Sequence, residues 1–164
     1  MRRMQLMEIE DQPWCPAVIR DGITDYLQFA LDAAKPYLRI APRVAAVVRE
    51  SGTCDVIDLC SGAGGPWVAL SAALAESEHG VRVTLTDRFP NTEAMARIAA
   101  RSNGVVRHRP QPVDATNVPR ELTGVRTMFS AFHHFTSCRP FRSPSCSTAS
   151  SPASARTGLT SCSI

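Results

Sequence analysis

The chain has 164 residues, of which 44% are hydrophobic, and it is long enough for one domain with a buried core. Its net charge is +3, but all 15 acidic residues lie within residues 1–135, and the excess comes from Arg139, Arg142 and Arg156. Because residues 1–135 are neutral, the sequence disfavours a nucleic-acid partner. There is no apolar run of about 18 residues and no apolar segment after the N-terminal arginines, so we expect a cytoplasmic protein without membrane contact.

The cysteines give no sign of a metal site. Six are scattered along the chain, and none forms a Cys-x-x-Cys pair. The spacing of Cys138, Cys146 and Cys162 suits zinc poorly. We therefore expect reduced thiols and no bound metal, as is usual in a cytoplasmic protein.

The composition changes abruptly after residue 135. Residues 136–164 are rich in serine, contain neither acid nor lysine, and lack apolar periodicity, which predicts a disordered low-complexity tail. Before that point the chain alternates helical and strand patterns. We divide it into an N-terminal helical cap (1–52), an α/β segment (53–135) and the tail.

The cap is predicted to contain two helices. Apolar residues recur at helical spacing from Ile23 to Ala34, which predicts a helix that begins near Asp21 and is interrupted at Pro36. Pro42 is expected to interrupt the helical structure again. A further apolar helical face follows it and ends before Gly52: Val44, Val47 and Val48.

Residues 53–135 read as alternating strands and helices. Apolar runs predict four strands, at residues 54–59, 81–86, 105–109 and 125–132. One helix is predicted to begin at Pro66, and another to begin after an Asn91 cap and end at Asn103-Gly104. This order of elements predicts an α/β fold with a parallel sheet and right-handed crossovers.

The loop after the first strand, Cys60–Gly65, lies where open α/β sheets bind their ligands. Its alternate glycines permit a tight turn and a close approach of ligand to backbone. A dinucleotide-binding fingerprint requires a third glycine where this chain has Trp67, and Pro66 removes an N–H that a phosphate would use. Asp58, just before the loop, would repel a diphosphate and attract a cation. These features disfavour a NAD-binding dehydrogenase domain, which remains an alternative.

Four segments carry a family resemblance. "DLCSGAG" (58–64) resembles the first motif of class I S-adenosylmethionine-dependent methyltransferases, and "VTLTD" (83–87) is similar to the second, whose acid holds both ribose hydroxyls. "VDA" (113–115) resembles the third motif, whose aspartate contacts the adenine amino group. "MFSAFHHF" (128–135) looks like the end of the fourth strand followed by the paired histidines of many small-molecule methyltransferases. The resemblance covers about residues 54–135.

This resemblance implies a Rossmann-like parallel sheet with helices on both faces, S-adenosyl-L-methionine as cofactor and a small-molecule methyl acceptor. The cofactor-binding residues that it implies follow the strand ends: Asp58, Cys60, Ser61, Gly62, Gly64, Asp87, Arg88, Asp114, Ala115 and Ser130. Cys60 stands where the family has its first motif glycine. Each aspartate also has a structural alternative: Asp58 can simply end a strand, and Asp87 can cap a turn, while Asp114 would suit any loop.

No catalytic residue is predicted. Methyl transfer from a sulfonium is an in-line displacement, for which alignment alone can supply roughly 7–11 kcal/mol. His133 and His134 can act as a general base or can shape the start of a following helix. Trp14 and Tyr26 can close the pocket over substrate or pack within the cap.

The family's sheet usually has seven strands, whereas this sequence supplies four before its periodicity stops. We therefore expect that the C-terminal half of the sheet is missing, replaced through a frameshift or a truncation. This expectation leaves a second function open, an inactive fragment or pseudoenzyme that at most binds the cofactor. The sequence determines neither the methyl acceptor nor the oligomeric state.

Overall fold

The structure, a computed structural model, describes residues 12–75 and 80–135. In chain order the elements are α1 (Ala17–Ala34), a first 3₁₀ turn (Leu38–Ile40), α2 (Ala41–Ser51), β1 (Asp55–Leu59), α3 (Trp67–Ala75), β2 (Arg82–Leu85), α4 (Thr92–Arg101), β3 (Val106–His108), β4 (Val125–Met128) and a second 3₁₀ turn (Phe132–His134). The predicted disordered tail, 136–164, and the expected loss of further strands lie outside the described residues.

The four strands form one parallel sheet in the order β3-β2-β1-β4. Ile57 of β1 lies opposite Thr84 of β2 on one side and Arg126 of β4 on the other. The direction of winding therefore reverses between β1 and β4, which is the position where open α/β sheets form a crevice for ligands. The predicted α/β fold with a parallel sheet is confirmed.

Every strand is shorter than predicted, and β4 differs most. It was predicted to reach residue 132 but ends at Met128. The physical reason is the backbone of Ser130, whose φ of +56° places it in the left-handed region. That conformation is incompatible with an extended ladder, and the chain turns away from the sheet there.

The first face of the sheet is covered by α2, α3 and α4. Their apolar side chains form one core with the strand residues beneath them: Ala41, Val44, Val48, Val56, Trp67, Leu70, Leu74, Val83, Leu85, Met95, Ile98, Val106 and Val125. Pro42 lies in the first turn of α2 instead of interrupting the chain, since a helix start requires no N–H there. Residues of α2, from the predicted N-terminal segment 1–52, therefore share one core with the sheet.

Within residues 12–75 and 80–135, no α-helix covers the second face of the sheet, in contrast to the prediction of helices on both faces. The chain between β3 and β4 and the second 3₁₀ turn pack against strand residues there: Ile57, Leu59, Ala115, Val118, Leu122, Met128, Ala131 and Phe132. Pro110, Pro112 and Pro119 explain the missing helix, because proline has no N–H to donate and its ring clashes with the preceding turn.

Helix α1 begins four residues before the predicted start at Asp21. Pro16 precedes it with φ of −58°, which suits a helix entry, and Arg20 donates from Nη2 to the carbonyl of Cys15 at 3.2 Å. The helix ends at Ala34 as expected from Pro36. None of its 18 residues is buried. Within the described ranges, neither α1 nor any other helix is long and apolar enough to cross a membrane.

Candidate functional site

A cavity of about 450 Å³ lies at the carboxyl edge of the sheet, beneath α1. Its volume is within the range of small-molecule sites. Most of the predicted site residues line it: Cys60, Ser61, Gly62, Asp87, Arg88, Asp114, Ala115 and Ser130. Asp58 and Gly64 do not line it. The strands therefore bring together residues that are up to 70 positions apart in the chain, as expected for parallel strands whose carboxyl ends share one edge.

The loop after β1 uses most of its N–H groups inside the protein. The amide of Ser61 donates to the carbonyl of Thr86 (3.0 Å), and that of Gly62 donates to Asp87 Oδ2 (2.8 Å). The amide of Gly64 donates to the carbonyl of Ser61 (2.7 Å), and that of Trp67, just after the loop, donates to the carbonyl of Gly64 (3.4 Å). Pro66 has no N–H to offer. Within residues 61–65, the amides of Ala63 and Gly65 alone lack an acceptor in the described part of the chain. The loop is therefore a poor cradle for a diphosphate, which requires several converging amides.

Asp58 lies beneath this loop and is only 1% exposed. Its Oδ2 accepts from Ser61 Oγ and its Oδ1 accepts from Thr127 Oγ1, both at 2.7 Å. Burial raises the pKa of Asp58 to about 6, and the two hydroxyl hydrogen bonds offset part of that rise. The carboxylate thus links β1 to β4 and to the loop through hydrogen bonds. It does not line the cavity, so it is not placed to contact a ligand there.

Asp87 stands at the cavity wall, two residues after β2 ends. Its Oδ2 accepts from the amide of Gly62, and its Oδ1 accepts from the amide of Phe89 at 2.8 Å. These two bonds fix the plane of the carboxylate. Each carboxylate oxygen has a further lone pair, so both can still accept a hydrogen bond from a ligand hydroxyl.

Asp114 lies on the β3 side of the cavity. Its Oδ1 accepts from the amide and the hydroxyl of Thr116 at 2.7 and 2.6 Å. These bonds, together with the positive charge of Arg88, lower the pKa of Asp114, so it carries a full negative charge at neutral pH. The second arginine of this region is Arg20 of α1, whose guanidinium stacks 4.0 Å from the ring centroid of Phe89.

Two non-glycine residues at the cavity have left-handed backbone. Cys60 follows β1 with φ of +57°, and Ser130 follows β4 with φ of +56°. The Ser130 hydroxyl also shares a hydrogen bond with the hydroxyl of Tyr37. Residues with a Cβ adopt this conformation at a cost of about 1–2 kcal/mol, and such strain clusters at functional sites. Glycine would adopt the backbone of Cys60 without this cost.

The strain at Cys60 predicts an order of stability between two variants. We expect Cys60→Gly to be more stable than Cys60→Ala by about 1 kcal/mol, because glycine adopts a positive φ without a Cβ clash. Urea unfolding measures this difference. Cys54, which has no positive φ, is the matched control, and there alanine should be the more stable variant by about 0.4–1 kcal/mol. The same order at both positions would contradict the assigned backbone strain.

One face of α1 forms a wall of the cavity, and three of its residues, Ile23, Leu27 and Leu31, belong to the apolar helical pattern seen in the sequence: Arg20, Ile23, Thr24, Leu27, Gln28 and Leu31. Gln28 donates from Nε2 to Asp32 Oδ1 at 3.0 Å, whereas its Oε1 is buried without a partner in the described residues. A buried acceptor of this kind is costly unless a ligand or water donates to it. The helical spacing of these residues was visible in the sequence, but the sequence does not say which face meets a cavity.

Trp14 and Tyr26 follow neither of their predicted roles. They are 66% and 70% exposed and do not line the cavity. His133 and His134 do line it, with their ring centroids 4.1 Å apart in the second 3₁₀ turn. They thus remain at a position from which they can contact a ligand.

No three or more His, Cys, Asp or Glu side chains in residues 12–75 and 80–135 are grouped so that they could hold a metal ion. Comparison of the chain with protein-family models, curated proteins and solved structures finds no match in any of the three. The functional argument therefore rests on the geometry of the cavity and on the motifs that line it.

Proposed function

We propose that the cavity binds S-adenosylmethionine and that the protein transfers its methyl group to a small molecule. The observation that carries the proposal is the Asp87 carboxylate, which the amides of Gly62 and Phe89 hold at the cavity wall with acceptor capacity left on both oxygens. A vicinal pair of ribose hydroxyls matches these two acceptors.

The hydrogen bonding of the loop favours this cofactor over a dinucleotide. The amides of Ser61, Gly62 and Gly64 already have acceptors within the protein, so few donors remain for phosphate oxygens. The side chains of Asp87 and Asp114 line the same cavity, and these acidic groups disfavour a diphosphate there. S-adenosylmethionine has hydroxyls and two cationic groups but no phosphate, and it therefore suits this donor-poor loop.

The unpaired acceptor on α1 gives an independent test of fit. The Oε1 atom of Gln28 is buried, and a Cβ placed on Gly64 would lie 3.7 Å from it. An ammonium group beside the loop can donate to this oxygen and so satisfy it, whereas a phosphate cannot. The residues on this wall of the cavity therefore fit the methionine part of the proposed cofactor.

The bound cofactor would supply a methyl group attached to a sulfonium. When the acceptor forms its bond to the methyl carbon, the bond from carbon to sulfur breaks and the sulfur part becomes a neutral thioether. The protein's contribution is alignment. Asp87 holds the ribose end, the loop after β1 and Gln28 hold the opposite end, and α1 limits the access of water. We assign no general base, since an acceptor that is already a nucleophile requires none.

Calorimetric titration with S-adenosylhomocysteine, the demethylated product, tests the proposal. We expect binding to the full chain, and we expect Asp87→Asn to weaken it by roughly 10- to 100-fold, because hydrogen bonds to a charged acceptor are lost. Asp55→Asn is the matched control: Asp55 lies at the opposite end of β1, where it pairs with Arg82 at 2.9 Å, and its replacement should leave the affinity unchanged.

Tighter binding of NAD than of S-adenosylhomocysteine would refute the proposal and would support the dehydrogenase alternative. A methyl-release assay on the same protein then separates a transferase from a chain that binds the cofactor without transferring the methyl group.

A further inference from the structure

The charged side chains that line the cavity are confined to one side of it. Among the described residues, Asp87, Arg88 and Asp114 lie in the segments that follow β2 and β3, and Arg20 stacks on Phe89 in the same region. The lining residues that follow β4 include no carboxylate, lysine or arginine: Phe129, Ser130, Ala131, His133, His134 and Phe135. The cavity thus has a charged side next to β2 and β3, and a side next to β4 where the apolar residues Phe129, Ala131 and Phe135 are joined by Ser130, His133 and His134.

Helix α1 and the turn after it connect these two sides. Arg20, in its first turn, lies over Phe89, which follows β2, whereas Tyr37, just beyond its end, bonds to Ser130, which follows β4. The later part of α1 is therefore the part that lies toward the side of the cavity next to β4. This part presents Leu27 and Leu31 to the cavity, one helical turn apart.

In the part of the chain that the structure describes, the apolar side chains that α1 turns to the cavity, Ile23, Leu27 and Leu31, stay partly exposed. No residue of α1 is buried, and Leu27 is 51% exposed although it lines a concave site. Apolar side chains that line a cavity and remain uncovered are typical of ligand sites. A ligand with an apolar body would remove Leu27, Leu31 and Phe135 from water together, and this burial is the main source of binding free energy for such a ligand.

We infer that the side of the cavity next to β4 binds the methyl acceptor, and that this acceptor is an uncharged small molecule with an apolar, ring-sized body and a single polar group. The inference rests on the proposed function for the identity of the ligand as an acceptor. A carboxylate or phosphate would lose its water there, and none of the lining residues that follow β4 in the described part of the chain is an arginine or lysine that could replace that water. Ser130 and the two histidines can hydrogen-bond to one polar group of the acceptor.

Binding of two matched probes tests the inference. We expect the full chain, saturated with S-adenosylhomocysteine, to bind uncharged 2-naphthol at least about tenfold more tightly than anionic 2-naphthoate at neutral pH. Leu31→Asn should weaken 2-naphthol binding by roughly tenfold, the effect of removing one leucine from an apolar contact. Phe29→Asn is the control: Phe29 is 71% exposed on the same helix, does not line the cavity, and its replacement should leave the affinity unchanged.

Three results would overturn the inference: no binding of 2-naphthol, equal binding of 2-naphthoate, or an affinity that Leu31→Asn does not change. Repeating the titrations without S-adenosylhomocysteine separates this inference from the proposed function. If the chain does not bind S-adenosylhomocysteine but binds 2-naphthol with an affinity that depends on Leu31, the proposed cofactor is refuted and the proposed site for an apolar ligand is supported.

Discussion

Replacing Gly64 by alanine is expected to lower the free energy of unfolding by about 3 kcal/mol. Two effects add. The φ of Gly64 is +122°, a conformation in which a Cβ is strained, and this strain accounts for about 1 kcal/mol. A Cβ at Gly64 would also lie 2.1 Å from Cδ1 of Ile98 on α4, and overpacking of this kind costs about 1–3 kcal/mol. Urea unfolding followed by circular dichroism measures the loss.

Two further variants separate the two effects in Gly64→Ala. Gly52→Ala has the conformational effect alone, since φ is +69° and no atom lies within 4 Å of its Cβ, so the loss should be only about 1 kcal/mol. Ile98→Val removes the clashing methyl group. It should destabilise the natural chain by about 0.5–1.5 kcal/mol but stabilise the Gly64→Ala chain. If Ile98→Val destabilises both chains equally, the loop does not pack on α4 as described.

Asp58 is expected to make the protein less stable as pH rises from about 4 to about 7. Its pKa is raised from 3.8 to about 6 by burial, so the folded state binds a proton more tightly than the unfolded chain does. Stabilisation from the protonated carboxyl is complete below the unfolded pKa and is lost as pH rises through the folded pKa. A shift of this size corresponds to about 3 kcal/mol.

The comparison with Asp58→Asn isolates this effect. Asparagine has no titrating group. Between about pH 4.5 and pH 7 the free energy of unfolding of the variant should therefore fall by about 2 kcal/mol less than that of the natural chain. All other ionisable groups are the same in both proteins. The lowered pKa values of Asp55 and Asp114 act at lower pH, where stability falls with decreasing pH, and they lie outside this window. Parallel stability curves for the two proteins would show that Asp58 is not buried as a carboxylate.

Much of the local structure could be predicted because it depends on neighbours in the chain. Asn91 was predicted to cap a helix, and its Oδ1 accepts from the amide of Ala94 at 3.1 Å. Gly52 was predicted to end α2, and it does so with a left-handed φ of +69°. Both features require contacts over three or four residues only, so the amino-acid pattern carries the information for them.

The candidate site was predictable in part. The strand ends placed Asp87 and Asp114 at one edge of the sheet, since parallel strands point their carboxyl ends the same way. Asp58 lies below the loop, where Ser61 and Thr127 enclose its carboxylate, and it does not line the cavity. A sequence shows that an acid follows a strand, but whether that acid reaches the ligand depends on which side chains pack around it.

The sequence by itself determined the alternation of helices and strands, the parallel α/β class and the position of the loop after β1 at the carboxyl edge of the sheet. Only the tertiary structure decided that α1 faces a cavity instead of a core, that a proline-rich connection covers the second face, and that β1 lies between β2 and β4. The physical reason is range. Helix caps and turns arise from bonds between neighbouring residues, whereas burial depends on contacts between segments far apart in the chain, which no local pattern specifies.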